Sequence, residues 1–417
     1  MCGTSLCPVP AAAGPGGVFK LTAVDRRTRT PVVGMVGGGQ LARMTHQAAI
    51  ELGQSLKVLA AKPDDPAALV APDVQIGHHT DLDALREFAR GCDAVTFDHE
   101  HVPGEHLRAL AAEGVAVHPG PDALLHAQDK LVMRRRLGDM GLPVPPFAPV
   151  ESVDDVLRFG AEHGWPCVLK TARGGYDGRG VWTLNTPQSA QRTVAELLDG
   201  GAPLLVEQRV ALRRELAAVV ARSPFGQGAA WPLVETVQSE GICVQVLAPA
   251  PDASEQLREQ AQNMALRIAD ELGVVGVLAV ELFETDDGLV INELAMRPHN
   301  SAHWTQEGAR TSQFEQHVRA VLDYPLGSTG LTAPAVVMGN VLGAPTEPKM
   351  GVDERLHHMF ARFPHAKAHL YGKSERPGRK IGHVNVLGED MAAIRREAEL
   401  AAHFLAHGEW ADGHPVH

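Results

Sequence analysis

Several features are scarce or missing in this chain of 417 residues. Its five cysteines are odd in number and form no C-x-x-C pair, which argues against a disulfide framework and a thiolate metal site. No apolar run approaches the length of a membrane span. The formal charge of -12 disfavours general binding to nucleic acid, which needs a positive surface. These absences predict a protein of the reducing cytoplasm that has neither membrane nor nucleic-acid partners.

Histidine is abundant, but its placement is not that of metal ligands. The 21 histidines include no H-E-x-x-H motif, and adjacent pairs such as His78-His79 lack ligand spacing, so we do not expect zinc. Residues 1–30 are rich in Ala, Gly, Pro and Thr and lack the charged start and apolar stretch of a signal peptide. We expect them to form a disordered extension.

The length and the apolar content of 44% predict about two to three globular domains. From Pro31 the chain reads as strand, glycine turn, helix and strand, which is the opening of a doubly wound sheet. The short apolar runs AVTFD (94–98) and VAVHP (115–119) predict two more parallel strands. We therefore expect a first domain at residues 31–128.

A second domain is expected at residues 129–328. It begins with a helix whose predicted N-cap is Asp129, and it ends where Pro325 and Gly327 follow an amphipathic helix capped by Ser312. The remainder, residues 329–410, alternates short strands with loops and finishes in an Ala-rich helix. It predicts a small third domain.

The first glycine turn has the pattern Gly37-x-Gly39-x-x-Ala42 of a dinucleotide fingerprint. The acidic residue that would bind a ribose at the end of the second strand is missing, which weakens that interpretation. A glycine turn at a helix start also serves to hold a phosphate or to let the helix pack closely. The pattern leaves these three alternatives open.

A predicted hairpin brings two carboxylates together. If Asp286, Asp287 and Gly288 form a three-residue loop with Gly288 in the left-handed region, Glu281 lies opposite Glu293. Two ionised carboxylates at that distance repel unless a cation lies between them, and oxygen ligands with room for water and phosphate suit magnesium. The alternatives are that one carboxylate faces solvent or that the register slips by one residue.

The stretch from Gly174 to Gly180 has four glycines in seven residues and follows Lys170. Such a loop can approach a phosphate closely and offer backbone N–H groups, while the lysine supplies a charge. The alternative is a surface hairpin turn.

A basic island in an acidic chain is a second candidate anion site. Lys373, Arg376, Arg379 and Lys380 enclose a single acidic residue, Glu375. Phosphate or carboxylate recognition would use such a group, whereas a solvated charged loop is the alternative.

These segments together resemble the N5-carboxyaminoimidazole ribonucleotide synthetases, ATP-grasp enzymes of purine synthesis, from about residue 31 to 388. The motifs that carry the resemblance are GGGQLARM (37–44), GGYDGRG (174–180), VELFE (280–284), NELAMRPHNSAHWT (292–305), TSQFEQHVRAVLDYPLG (311–327) and YGKSERPGRKIGH (371–383). Other ATP-grasp enzymes share the lysine and carboxylate pattern but not the RPHNSxHW or RPGRK strings.

The resemblance implies an α/β and α+β multidomain protein: a Rossmann-like N-terminal domain, a central ATP-grasp fold and a small C-terminal β-rich domain. It implies a carbon–nitrogen ligase that uses ATP, Mg²⁺ and bicarbonate to carboxylate 5-aminoimidazole ribonucleotide, giving ADP, phosphate and the N5-carbamate through carboxyphosphate. A homodimer is usual for the family. The chain carries no appended mutase domain, so a separate mutase is expected to take the carbamate onward.

The resemblance also implies site residues. The ATP-binding set would be Lys130, Lys170, Gly175, Tyr176, Asp177, Gly178, Arg179, Gly180, Val181, Glu207, Gln208, Arg209, Val210, Glu215, Gln238, Asn292 and Glu293. Glu281 and Glu293 would bind the metal. The ribonucleotide would meet Gln40, Glu100, Lys373, Arg379 and Lys380, and the catalytic group would be Tyr176, Asp177, Arg179, Arg297, His299 and Asn300. Asp177, the one carboxylate of its loop, is our hypothesis for the group that orients or deprotonates the amine.

Four positions depart from the family pattern. Gln238 replaces a common histidine, Val181 a glutamine, Met296 a proline and Ala302 a glycine. Two other functions are weighed against the resemblance. One is a different ATP-grasp ligase, of the formate-dependent transformylase or biotin carboxylase type, and the other is a nicotinamide-dependent oxidoreductase built on the first domain.

Overall fold

The computed structural model describes residues 28–54, 56–175 and 180–416. The predicted N-terminal extension lies almost wholly outside these residues. The described chain begins with a parallel sheet in the order β3-β2-β1-β4, covered by helices. Its elements are β1 (Val33–Val36), α1 (Gln40–Glu51), β2 (Leu56–Ala60), β3 (Asp73–Ile76), α2 (Leu82–Ala89), β4 (Ala94–Phe97), α3 (Gly104–Ala112) and α4 (Pro121–Gln128).

The strand predicted at residues 115–119 is wrong. Only Val117 is attached to the sheet, through a single parallel bridge to Val95. Ala116 and His118 contribute the hydrogen bonds of this bridge. Gly120 is already the N-cap of α4, which begins at Pro121, so the chain leaves the sheet directly after this bridge.

The next part of the chain forms an antiparallel four-stranded sheet in the order β5-β8-β6-β7. The predicted cap of its first helix is confirmed, since the Asp129 side chain accepts hydrogen bonds from the N–H groups of Leu131 and Val132. The elements are α5 (Lys130–Asp139), β5 (Phe147–Val150), α6 (Val153–His163), β6 (Cys167–Thr171), β7 (Val181–Leu184), α7 (Pro187–Asp199) and β8 (Leu204–Gln208).

A nine-stranded sheet follows, in the order β14-β13-β9-β11-β12-β15-β17-β16 with β10 beside β9. Its central elements are β9 (Arg214–Arg222), β10 (Gly228–Ala230), β11 (Val234–Ser239), β12 (Ile242–Ala248), α8 (Glu255–Glu271), β13 (Gly276–Thr285), β14 (Gly288–Ala295), α9 (Thr305–Gly308) and α10 (Gln313–Val321). The last elements are β15 (Ala335–Leu342), α11 (Val352–Arg362), β16 (Lys367–Leu370), β17 (Lys380–Gly388) and α12 (Met391–His407). The C-terminal strands thus continue the central sheet through the pairing of β12 with β15.

The hairpin loop between β13 and β14 differs from the predicted three-residue loop. Thr285 pairs with Gly288, which leaves only Asp286 and Asp287 in the loop. The register then shifts by one residue, so that Leu282 pairs with Ile291 while Glu281 pairs with Glu293. The predicted pairing of the two glutamates is therefore confirmed, but a bulge produces it instead of the loop.

No helix in the described part of the chain is long and apolar enough to cross a membrane. Helix α10 has the predicted amphipathic form, because Phe314, Val318 and Val321 are all buried. Ser312 caps it by accepting the N–H of Glu315. This helix lies against both α1 and β13 and so joins the N-terminal sheet to the large sheet.

Candidate active site

A cleft of about 1720 Å³ opens between the four-stranded sheet and the nine-stranded sheet and reaches the end of β4. Most of the residues predicted from the sequence meet there. Those on its walls are Gln40, Glu100, Lys130, Lys170, Gly175, Val181, Glu207, Gln208, Arg209, Val210, Glu215, Gln238, Glu281, Asn292, Glu293, Arg297, His299, Asn300 and Lys380. The predictions for Tyr176, Asp177, Gly178 and Arg179 lie outside the described residues.

Lys170 stands at one wall of the cleft as part of a buried ion-pair chain. Its Nζ lies 2.7 Å from Oε2 of Glu207, whose Oε1 lies 2.6 Å from Nε of Arg134. Burial lowers the pKa of Lys170, and the Glu207 carboxylate opposes that effect. Although burial alone would raise the pKa of Glu207, its two cationic neighbours hold it below its usual value. Both oxygens of Glu207 are therefore engaged within the protein.

The opposite wall carries the two paired glutamates. The pKa of Glu281 rises to about 7, because it is desolvated and because the carboxylates of Glu293 and Glu215 repel its charge. Lys130 Nζ lies 2.6 Å from Oε1 of Glu293, and the Asn292 side-chain amide donates to Oε2 of Glu281 at 3.3 Å. The bulge at Asn292 puts its side chain on the same face as both glutamates, where strict alternation would send it to the other face.

This donor set fits a hard divalent cation. Glu281 and Glu293 offer carboxylate oxygens, and Asn292 Oδ1 faces the same space, where it lies 3.4 Å from Lys170 Nζ. Desolvation and two negative neighbours raise the pKa of Glu281, and a cation between the glutamates would lower it. Within the described ranges no cluster of three or more His, Cys, Asp and Glu is arranged for a metal. The pair therefore fits an ion that takes its remaining ligands from water and phosphate.

The residues predicted for the nucleoside lie along the edge of the cleft. Burial raises the pKa of Glu215, and a hydrogen bond from the Gln238 side chain opposes that rise. Val181 pairs with Lys170 across β6 and β7, and its side chain is exposed. Backbone pairing holds Val181 in the sheet, so its exposed side chain can differ from the glutamine of the family without changing that pairing.

A second group of predicted residues lies at the other end of the cleft. Arg297 Nε donates to Oε2 of Glu100 at 2.7 Å, which joins the segment after β14 to the loop after β4. His299 Nε2 lies 3.5 Å from Oε1 of Glu281. Burial and the charges of Arg297 and Lys380 hold the pKa of His299 well below its usual value, so its ring is neutral at pH 7. His299 thus connects the two ends of the cleft.

Two residues that we did not single out from the sequence hold this segment. Gln313, at the start of α10, accepts the His299 N–H at 2.7 Å, and its amide donates to the His299 carbonyl at 2.9 Å. Asn340 on β15 exchanges side-chain amide hydrogen bonds with Asn300, both at 2.9 Å. The sequence signals for Gln313 were its place beside the cap of a predicted helix and within the motif TSQFEQHVRAVLDYPLG (311–327). Asn340 lies within an apolar strand, where a polar residue needs a partner.

Two of the departures from the family pattern are core residues. Met296 packs with the cluster around β13 and β14, and Ala302 packs with a cluster that includes Trp304. Both side chains are almost fully buried. Neither side chain lines the cleft, so both departures lie in the core behind it.

The basic island forms a loop between β16 and β17. Arg379 Nη1 donates to Oγ of Ser374 at 2.7 Å, and Lys380 begins β17 on the cleft wall. Lys373 Nζ stands 5.8 Å from the centre of the Tyr371 ring. Glu375 pairs at 2.6 Å with Arg355, a buried residue of α11. The single acidic residue of the island is therefore an anchor for the loop.

The glycine turn before α1 contains a carboxylate where a dinucleotide would place its pyrophosphate. Asp98 Oδ2 accepts the Gly39 N–H at 2.6 Å, and a Cβ on Gly37 would lie 1.7 Å from Asp98 Oδ1. Burial raises the pKa of Asp98 to about 6, while the Gly39 hydrogen bond lowers it. The turn is closely packed on its other side as well, since a Cβ on Gly38 would lie 2.8 Å from the Cβ of Ala60 on β2. A pyrophosphate would have to displace Asp98, which counts against the oxidoreductase alternative.

Three family models match the chain. They describe a ribonucleotide synthetase preATP-grasp domain at residues 31–128, an ATP-grasp domain at residues 135–314 and a phosphoribosylaminoimidazole carboxylase C-terminal domain at residues 336–397. Their order along the chain is that of the three structural parts.

Curated relatives cover nearly the whole chain. The N5-carboxyaminoimidazole ribonucleotide synthase of Mycobacterium tuberculosis is 63% identical over 388 residues, which is 93% of this chain and 90% of the relative. The synthase of Corynebacterium ammoniagenes is 50% identical over 387 residues, covering 92% of this chain and 94% of the relative.

Solved structures of the same kind of enzyme superpose on nearly the whole chain. The synthetase of Thermus thermophilus superposes with a TM-score of 0.81 at 37% identity, over 91% of this chain and 99% of the other. The synthase of Aspergillus clavatus in complex with ADP and 5-aminoimidazole ribonucleotide superposes with a TM-score of 0.80 at 30% identity, over 90% of this chain and 98% of the other.

Proposed function

This chain belongs to the N5-carboxyaminoimidazole ribonucleotide synthases, and we propose on that premise that it carboxylates 5-aminoimidazole ribonucleotide with bicarbonate at the expense of ATP. The enzyme is an ATP-grasp carbon–nitrogen ligase of purine biosynthesis. One observation carries the assignment: two lysines and two glutamates face the Arg297–Glu100 pair and Lys380 within a single cleft.

Chemistry begins with bicarbonate, which is a poor electrophile. A bicarbonate oxygen attacks the γ-phosphorus of ATP, the bond to the β-phosphate oxygen breaks, and ADP leaves with carboxyphosphate formed. The exocyclic amine of the ribonucleotide then attacks the carboxyl carbon, phosphate departs, and the amine loses a proton to give the N5-carbamate. Asp177 is the group that we assign to orient the amine or accept that proton.

Lys170 and Lys130 are assigned to the ATP phosphates. Each cation is held by a carboxylate, Glu207 or Glu293, so both side chains are fixed before the nucleotide arrives. The segment from Glu207 to Val210 would meet the adenine through its backbone, because both side-chain oxygens of Glu207 are engaged, and Glu215 would meet the ribose. The glycine loop from Gly175 to Val181 would cover the phosphates and exclude water from carboxyphosphate.

Mg²⁺ would be held by Glu281 and Glu293, with Asn292 beside them. When bound, it offsets the negative charge that develops on the phosphate oxygens during transfer. Lys130 would supply a further positive charge for the phosphate oxygens, and its Nζ lies beside Oε1 of Glu293.

The ribonucleotide would lie at the end of the cleft formed by Arg297, Glu100 and Lys380. Arg297 and His299 would contact the base and the carboxyl group, and Gln40, at the start of α1, lines the same cleft. The Lys373, Arg379 and Lys380 side chains supply positive charge for the ribonucleotide phosphate. Asn300 would act through its reciprocal pair with Asn340.

We further propose that the enzyme is a cytoplasmic homodimer and that a separate mutase consumes its product. Support for the dimer and the mutase comes from the family resemblance. Support for the location comes from the five scattered cysteines of the sequence, which are odd in number and lack a C-x-x-C pair, as expected in a reducing compartment.

Phosphate release tests the function directly. The purified protein is incubated with ATP, Mg²⁺ and bicarbonate, with and without 5-aminoimidazole ribonucleotide, and free phosphate is measured. We expect the ribonucleotide to stimulate release, with one ribonucleotide consumed per phosphate. Formate in place of bicarbonate should give no product, which separates this ligase from a formate-dependent one. A rate of phosphate release that is the same with and without the ribonucleotide would refute the assignment.

A further inference from the structure

Arg134 is a fully buried arginine that the proposed mechanism leaves without a task. It follows Lys130 by four residues on α5, so the two cations lie on one face of the same helix. Its Nε donates to Oε1 of Glu207 on β8, and its Nη2 donates to the backbone carbonyl of Asn292 on β14 at 2.7 Å. One side chain therefore joins the four-stranded sheet to the bulge of the nine-stranded sheet.

The charges of this group decide what Lys170 can offer to a ligand. Glu207 is shared between Arg134 Nε at 2.6 Å and Lys170 Nζ at 2.7 Å. Arg134, Glu207 and Lys170 together carry a net charge of +1, whereas Glu207 and Lys170 alone would be neutral. All three side chains are almost fully buried, so water screens their charges poorly. Lys170 and Glu207 line the cleft and Arg134 does not, so Lys170 is the cation of this group that a ligand in the cleft can reach.

We propose that Arg134 is a positioning residue that neutralises Glu207 and so leaves the positive charge of Lys170 to the phosphates of ATP. Glu207 fixes the lysine in place, but its negative charge weakens the attraction between Lys170 and a phosphate. Arg134 offsets that negative charge. The inference rests on the proposed ATP-binding role of Lys170.

The competing explanation is that Arg134 only ties the two sheets together. Both its Nε and its Nη2 bonds would serve such a tie, and a lysine could not reproduce the two bonds at once. A charge role requires only a cation beside Glu207. The two explanations therefore predict different behaviour for Arg134→Lys, and for a double variant in which Glu207 loses its charge as well.

The test measures ADP binding to the full-length protein by calorimetry, together with KM for ATP and for the ribonucleotide. We expect Arg134→Met to weaken ADP binding and raise KM for ATP by roughly tenfold or more, because the buried pair that remains is neutral. KM for the ribonucleotide should stay within about twofold, since that end of the cleft is unaltered. Arg134→Lys should bind ADP nearly as well as the parent protein.

The double variant Arg134→Met with Glu207→Gln should recover most of the lost ADP affinity, because Lys170 then faces the ligand with its charge uncompensated. It also removes the buried carboxylate that loses its arginine partner, so it keeps the test usable if Arg134→Met alone fails to fold. Arg136→Met is the matched control, since this arginine of the same helix forms an exposed pair with Glu271. Its ADP affinity should not change.

Equal losses in Arg134→Lys and Arg134→Met, with no recovery in the double variant, would overturn the charge role and leave only a structural tie. Unchanged ADP affinity in Arg134→Met would overturn it as well. Failure of the parent protein to bind ADP would instead refute the proposed function, so the two failures are distinguishable.

Discussion

Glu281 and Glu293 face each other across a hairpin whose register is shifted by one residue at Asn292. The pairing counted from the loop, Thr285 with Gly288, would place Glu281 opposite Asn292. The bulge moves Glu293 into that place and keeps Asn292 on the same face, so three oxygen-bearing side chains converge. A β-bulge next to an active site typically redirects a side chain.

Neutralising either glutamate should abolish most of the activity. We expect Glu281→Gln and Glu293→Gln to lower kcat by on the order of 100-fold and to raise the Mg²⁺ concentration needed for half-maximal rate. Phosphate release across a Mg²⁺ titration is the measurement. Glu271→Gln is the control, because that glutamate forms an exposed surface pair. A Glu281→Gln enzyme with the parent's rate and Mg²⁺ dependence would disprove the metal site.

The ion pair between Glu375 and Arg355 should control affinity for the ribonucleotide. Arg355 is buried on α11 and holds Glu375 inside the basic loop that carries Lys373, Arg379 and Lys380. We expect Glu375→Gln to raise KM for the ribonucleotide roughly tenfold, or about 1.4 kcal/mol, while KM for ATP stays unchanged. Steady-state kinetics with each substrate varied in turn will show this split. The exposed Glu389→Gln serves as the control, and equal changes in both KM values would contradict a loop-specific role.

Asp177 offers the sharpest test of the chemical step. A group that orients or deprotonates the amine contributes typically about 10²- to 10⁴-fold to the rate. We therefore expect Asp177→Asn to lower kcat within that range at saturating substrates. Near-normal turnover of the variant would rule out this role.

His317 should make the fold sensitive to acid. Val277 N–H donates to Nδ1 at 3.1 Å, so the ring carries its proton on Nε2, which lies 2.8 Å from the Thr96 hydroxyl. Burial, and to a smaller extent the neighbouring His118, lower the pKa of His317 to about 3. Below the unfolded pKa of about 6.5 only the unfolded chain takes up this proton, so folding is progressively destabilised as the pH falls toward 3.

His317→Gln removes that titration and provides the measurement. The variant should be less stable at pH 7.5, because it loses fixed hydrogen bonds, but its free energy of unfolding should fall less steeply on acidification. Between pH 6 and pH 4 we expect the difference in free energy of unfolding between the parent protein and the variant to narrow by about 1.4 kcal/mol per pH unit. Urea denaturation at a series of pH values gives both curves. Parallel curves would mean that His317 does not titrate on unfolding.

Much of the local structure could be read from the sequence because it depends on neighbours a few residues apart. The cap at Asp129, the amphipathic face of α10 and the apolar runs of β4, β6 and β8 were all predicted from such short patterns. The strand predicted at 115–119 failed for a reason that also lies nearby, since α4 begins at Pro121, four residues after the single bridge at Val117.

The sequence by itself determined which residue types the site contains and which family motifs carry them. Only the tertiary structure decided their partners. Lys130 reaches Glu293 across 163 positions of the chain and Arg134 reaches Glu207 across 73, and no short-range pattern contains either distance. The same holds for Asp98, whose carboxylate fills the Gly37–Gly39 turn 59 positions away. Buried charges find their partners through the packing of whole sheets and helices, because desolvation makes an unpaired charge too costly wherever the fold places it.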